Sequence, residues 1–246
     1  MKKFTRSALA AAVLTVGSTG GVAFTSTAAA ELSMNIGAVS NYYFRGVTQT
    51  DDAAAIQGGV DFEHESGFYA GTWASTVDFG EGEAKYELDL YAGFAGELGN
   101  GMGYDVGYIY YAYPDSPDDI DFGEIYGELS FAGFYGGLAA TVHSDQSSGE
   151  AFDSGDIYYY LGYDVALPND FGLDLTAGYY TFDADGSAGQ EDLDYLHYGA
   201  TMYRDVGDFG EVSFTLEYAD IKDDDRSELA GSGDNLKVWV GWSKTF

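Results

Sequence analysis

The chain has 246 residues, of which 41 are acidic and 10 basic, giving a formal net charge of −31 at neutral pH. Such a charge argues against nucleic acid as a partner, because phosphates would be repelled. Its 22 tyrosines, 16 phenylalanines and 35 glycines set it apart from acidic disordered chains, and with no cysteine the fold must close without disulfides.

The first thirty residues read as a leader rather than as fold. Lys2, Lys3 and Arg6 precede a mostly apolar or small stretch, Ala8 to Phe24, which leads to Ala28-Ala29-Ala30, a pattern that signal peptidases cleave. Gly17, Gly20 and Gly21 interrupt the apolar run, which is too short for a membrane-spanning helix of about 20 residues. The expected domains are therefore a signal peptide over 1–30 and one large all-β domain over 31–246. The mature chain keeps seven basic residues against all 41 acidic ones.

Period-two alternation runs through the rest of the sequence. Tyr86, Leu88, Leu90, Ala92 and Phe94 alternate with Glu87, Asp89, Tyr91, Gly93 and Ala95; Val212, Phe214, Leu216 and Tyr218 alternate with Glu211, Ser213, Thr215 and Glu217. A helix would scatter these acids around its circumference, whereas a strand gathers them on one face. Twelve such runs are predicted, near 32–46, 54–64, 68–79, 84–97, 102–113, 122–132, 134–145, 155–167, 171–182, 193–204, 211–221 and 235–246. Short Gly-, Asn- and Asp-bearing turns at 65–67, 99–101, 133, 168–170 and 207–210 alternate with longer acidic links at 114–121, 146–154, 184–192 and 222–234. This layout predicts an all-β transmembrane antiparallel up-and-down barrel of about 12 strands, with turns in the periplasm, loops outside and lipid around it.

Two further features agree with that reading. Pro114, Pro117 and Pro168 all fall in connections, which spares the strand ladders. The last run, Leu236, Val238, Val240, Trp242, Lys244 and Phe246, ends on an aromatic residue, resembling the C-terminal signal by which barrel-insertion machinery recognises its clients.

Several stretches carry a family resemblance: Ser40-Asn41-Tyr42-Tyr43-Phe44-Arg45-Gly46-Val47-Thr48-Gln49-Thr50, then Ala55 to Phe62, Ser66 to Ser75, Glu87 to Phe94 and Tyr104 to Tyr111. Together they resemble the TorF family of proteobacterial outer-membrane proteins, long catalogued as conserved hypothetical. The resemblance is strongest over 32–113. It implies an outer-membrane barrel and a pore, and it supplies neither a known substrate nor catalytic residues.

With the apolar face outward, the lumen face collects Asp61, Glu63, Glu87, Asp89, Asp105, Glu124, Glu128, Asp164, Asp174, Glu211 and Glu217. Tyr91, Tyr111, Tyr126, Tyr158 and Tyr160 share this inward parity and narrow the bore. The acids read either as hydrated wall residues or as carboxylate rings that favour cations in a pore. Arg45, Lys85 and Lys237 share their parity. Closing strand one on strand twelve is expected to bring Arg45 near Lys237, opposite Glu124 and Glu128, setting a transverse field. Alternatively, Arg45 pairs with a lumen carboxylate and plugs the barrel.

The histidines give little support to catalysis. Neighbours on a strand point to opposite faces, so His143 and Ser144 are not expected to pair; His64 is expected at the periplasmic end and His197 in mid-strand. The acidic loops Asp183-x-Asp185-Gly186 and Asp223-Asp224-Asp225 could bind divalent cations loosely, but the EF-hand spacing fails at Ala188 and Asp194. No cofactor motif is present. The functional expectation is a non-enzymatic porin for small hydrophilic solutes or ions, favouring cations. The alternatives are a non-conducting structural or adhesive barrel and, further off, a soluble β-sandwich.

Overall fold

The computed structural model describes residues 30–146, 151–185, 193–221 and 235–246. The expected leader, apart from Ala30, and the acidic run Asp223–Asp225 lie outside the described residues.

Among the described residues, twelve strands form one closed antiparallel barrel. They are β1 (Ala30–Val39), β4 (Ala55–His64), β5 (Phe68–Thr76), β6 (Tyr86–Glu97), β7 (Gly103–Ala112), β8 (Phe122–Phe131), β9 (Phe134–Ser144), β10 (Ile157–Ala166), β11 (Phe171–Thr181), β12 (Tyr195–Asp205), β13 (Glu211–Ala219) and β14 (Lys237–Thr245). Each pairs with the next, and β1 closes the ring on β14, with Asn35 opposite Thr245 and Val39 opposite Gly241. Phe246 extends the seam by exchanging backbone hydrogen bonds with Met34 in both directions. Five short connections lie at one end of the barrel, and the longer ones lie at the other.

Alternation sorts the side chains as the sequence predicts. Leu32, Met34, Val60, Leu90, Val106, Ile125, Leu138, Leu161, Leu175, Met202, Phe214 and Val240 form an exposed apolar belt. Aromatic pairs ring the short-turn end, with Phe68 and Phe94 at 5.4 Å, Phe134 and Tyr163 at 4.5 Å, and Phe209 and Trp242 at 5.8 Å between ring centroids. A backbone in apolar surroundings must satisfy all its polar groups internally, and only closure removes the open edges.

Tyrosines crowd the interior. Tyrosine rings lie across glycines of the neighbouring strand, as Tyr69 does over Gly93 and Tyr126 over Gly107. The missing Cβ gives each ring its bed.

One expected element is corrected. The first run, expected over 32–46, leaves the wall after Val39. Residues 40–54 instead turn into the lumen as a small hairpin, β2 (Tyr43–Phe44) paired with β3 (Val47–Thr48). The alternation breaks at Ser40-Asn41 and Tyr42-Tyr43-Phe44, which marks the departure from the wall but not the direction the chain takes.

Gly93 tests the packing. A side chain there meets the carbonyl oxygen of Val106 at 2.6 Å as well as the Tyr69 ring. Gly93→Val is expected to destabilise the barrel by about 2 kcal/mol, measured by urea titration of the folded form; an unchanged midpoint would contradict the ring-on-glycine packing.

Candidate functional site

The inward hairpin is internally braced. The Asn41 amide donates to Asp52 at 2.6 Å, while its carbonyl oxygen accepts from Thr48 at 2.7 Å and from Thr50 at 3.0 Å. Gln49 N–H donates to the Tyr42 carbonyl at 2.7 Å. The tip, Arg45-Gly46, has positive φ at both residues, 51° and 88°, as a tight two-residue hairpin turn demands. Gly46 is also required by space, because a Cβ there would meet Cβ of His197 at 2.7 Å.

The tip delivers Arg45 across the barrel to β8. Its guanidinium grips Glu124 with both arms, Nη1 to Oε1 at 2.7 Å and Nη2 to Oε2 at 2.6 Å. Both side chains are almost wholly buried, at 3% and 0% exposure. The guanidinium also lies 4.5 Å from the Phe44 ring centre, 4.3 Å from that of Tyr158 and 5.1 Å from that of Tyr180. Tyr111 donates its hydroxyl to Glu124 at 3.2 Å, and Tyr195 donates to the Arg45 carbonyl at 3.0 Å. An irregularity in the β8–β9 register falls between Gly123 and Glu124. Bulges of this kind re-aim side chains beside functional sites.

The other inward acids are held mostly by tyrosine hydroxyls. Tyr42 and Tyr113 each donate to Glu87 at 2.8 Å, Tyr69 donates to Asp105 at 2.6 Å, and Tyr91 donates to Asp61. Tyr160 donates to Glu128 at 3.0 Å, Tyr135 to Asp174 at 2.9 Å and Tyr203 to Asp164 at 2.7 Å. Asp89 differs: it is fully buried opposite Trp73 and Tyr111, and neither carboxylate oxygen has a hydrogen-bond partner among the described residues. Glu63 is also buried, and Glu211 is half-buried.

The three basic residues separate. Arg45 is buried at the tip of the hairpin. Lys85 lies outside β6, half-exposed, and binds Asp78. Lys237 lies near the long-loop rim and reaches Asp52 at 2.9 Å. The expected approach of Arg45 to Lys237 is therefore corrected: the hairpin carries Arg45 away from the seam to the far wall, where Glu124 neutralises it locally. A simple transverse field across open water is replaced by a buried ion pair.

The three histidines lie in separate settings. His143 is exposed, stacks on Tyr110 and lies 3.6 Å from Asp145, while the Ser144 hydroxyl accepts the Gln146 N–H. His64 sits at the short-turn end beside Ser66. His197 stands nearer the long-loop end of β12 than mid-strand, buried between the Tyr158 hydroxyl at 2.8 Å and Glu217 at 3.0 Å. Sequence periodicity carries no sign of this Tyr158–His197–Glu217 relay, because its members lie on three strands. In the loops, Asp185 accepts the Leu193 N–H, and no group of three or more ligating side chains suited to a metal occurs among the described residues.

A closed antiparallel barrel with an apolar exterior and an acid- and tyrosine-rich lumen defines a porin-like fold. The KdgM porin superposes with a TM-score of 0.56 at 7% identity, covering 87% of this chain and 99% of that one. A structure of the KdgM porin in complex with disordered oligogalacturonate gives 0.54 at 4% identity, covering 87% and 98%. The NanC porin gives 0.51 at 10% identity, again covering 87% and 98%. In sequence, the model of the Gcw_chp family, described as a bacterial protein of unknown function, matches residues 23–132, which include the hairpin and Glu124. No protein of curated function matches the sequence.

Asp156, just before β10, supplies a pH test. It is buried and accepts the Asp183 N–H at 2.8 Å on one oxygen, while the other lacks a side-chain or backbone partner among the described residues. Burial pushes its carboxyl up to about 6, against the opposing pull of backbone N–H groups. The folded loop therefore holds a proton that the unfolded chain has released. Its contribution to stability is full below about pH 4 and is lost as the pH rises through about 6. In Asp156→Asn, hydrogen-exchange protection of the Asp183 amide is expected to stop falling across that window. A decline as steep as in the parent would assign the pH effect to another group.

Proposed function

We propose that the protein is an outer-membrane channel of the porin type for small hydrophilic solutes and ions, favouring cations, with the inward hairpin closing it in this form. The carrying observation is the lumen: Asp61, Glu87, Asp89, Asp105, Glu128, Asp164 and Asp174 face it, and Arg45 is already matched to Glu124. Carboxylates in a narrow, low-dielectric passage attract cations and repel anions. An acidic wall is also ill-suited to a polyanion such as the oligogalacturonate bound by the KdgM porin.

Localisation belongs to the same reading. Cleavage after Ala30 would export the chain, Phe246 would present it to barrel-insertion machinery, and the apolar belt would meet lipid. Short turns would then face the periplasm and acidic loops the outside, where divalent cations could gather. The resemblance to the TorF family supports this assignment. An N-terminus at Glu31 in protein recovered from the outer-membrane fraction is the expected outcome of peptide mapping.

A second reading, a non-conducting structural or adhesive barrel, draws on one observation, the depth at which Arg45 and Glu124 are buried. Planar-bilayer recording separates the two. The channel reading expects sparse openings from the parent, larger steps from Arg45→Ala and a cation-selective reversal potential in a salt gradient. Folded parent and variant that both give no steps would favour the closed barrel, and identical conductance in both would remove the hairpin from the permeation path.

A further inference from the structure

We infer that Glu124 and the tyrosines around it form a guanidinium-binding subsite at the long-loop end of the lumen, and that Arg45 occupies it as a built-in substitute for a solute. The wall supplies every element of such a site from four different strands. Glu124 on β8 offers a two-pronged carboxylate, Tyr158 on β10 and Tyr180 on β11 offer ring faces, and Tyr111 on β7 supports a carboxylate oxygen. All four wall side chains are nearly inaccessible to water. The fork matches a planar guanidinium and not a compact ammonium, which has no second parallel donor and stacks less well on rings.

The occupant belongs to a different segment from the cage. Arg45 arrives on a hairpin braced by its own Asn41–Thr48–Thr50 network and fastened to the wall by Lys237 to Asp52, Tyr42 to Glu87, the Asp78 N–H to the Gln49 carbonyl and Tyr195 to the Arg45 carbonyl, none of them a ladder bond between barrel strands. The hairpin can therefore leave as a unit without unpairing a barrel strand, and its departure bares a cage that a guanidinium-bearing solute can fill. Glu124 stands three residues into β8 from the long-loop end, so a solute entering from that side meets the cage early. That a solute passes onward rests on the channel reading; that the cage binds one does not.

The test uses the full barrel, folded in detergent and in planar bilayers, with Arg45→Ala and methylguanidinium as probe. Methylguanidinium at about 5 mM is expected to raise the thermal midpoint of Arg45→Ala, with methylammonium needing at least roughly tenfold more for the same shift. The parent, whose cage is filled, and Arg45→Ala/Glu124→Gln, whose fork is lost, are expected not to respond. In the bilayer, the same compound is expected to interrupt the Arg45→Ala current from the loop side. A thermal shift in a barrel that never conducts would sink the channel reading and leave the cage standing. Equal responses to methylguanidinium and methylammonium, or none to either, would overturn the cage. If Arg45→Ala does not fold alone, folding restored by methylguanidinium supports the site; failure of that rescue in both Arg45→Ala and Arg45→Gln overturns it.

Discussion

Every other feature depends on the seam between β1 and β14. A strand in an apolar solvent cannot leave its peptide groups unpaired, so twelve strands are stable there only as a ring. The seam joins the most distant parts of the barrel, and backbone bonds between Met34 and Phe246 carry it to the end of the chain. Closure then turns alternation into two environments. The same period-two pattern that would give an open sheet two faces gives a ring an outside and an enclosed inside.

What fills that inside is chemically unusual. Acids enclosed in a small ring would ordinarily repel one another and seek water. Here most accept hydroxyls from tyrosines, whose rings lie flat because glycine stands beneath them. Tyrosine thus serves at once as filler, hydrogen-bond donor and ring face. Asp89 lies outside this arrangement, unaccompanied among the described residues and fully buried beside Trp73 and Tyr111.

The Arg45–Glu124 pair is a buried ion pair among these acids. A buried ion pair stabilises little in net terms, because both ions give up hydration. Its effect is positional: it fixes where the hairpin tip rests and which carboxylate it satisfies. Gly46 lets the tip approach His197 and Ala219 closely enough for the reach to succeed.

Alternation, turn residues and the placement of prolines made the barrel, its strand number and its inward faces legible in the sequence, because each is a local property repeated along the chain. Tyr91, Tyr111, Tyr126, Tyr158 and Tyr160 were assigned inward on the same ground and are buried. The fate of residues 40–54 was not legible. Broken alternation says that a segment leaves the wall but not where it goes, and the partners that hold Arg45, Glu124 above all at 79 residues' separation, are remote in the sequence. Lys85 and Lys237 had the parity of lumen residues, yet nearby carboxylates hold them at the rim. The sequence by itself determined that the chain closes on itself with its acids inside. The tertiary structure decided which cation meets which acid, because that choice depends on distances across the ring that no local pattern encodes.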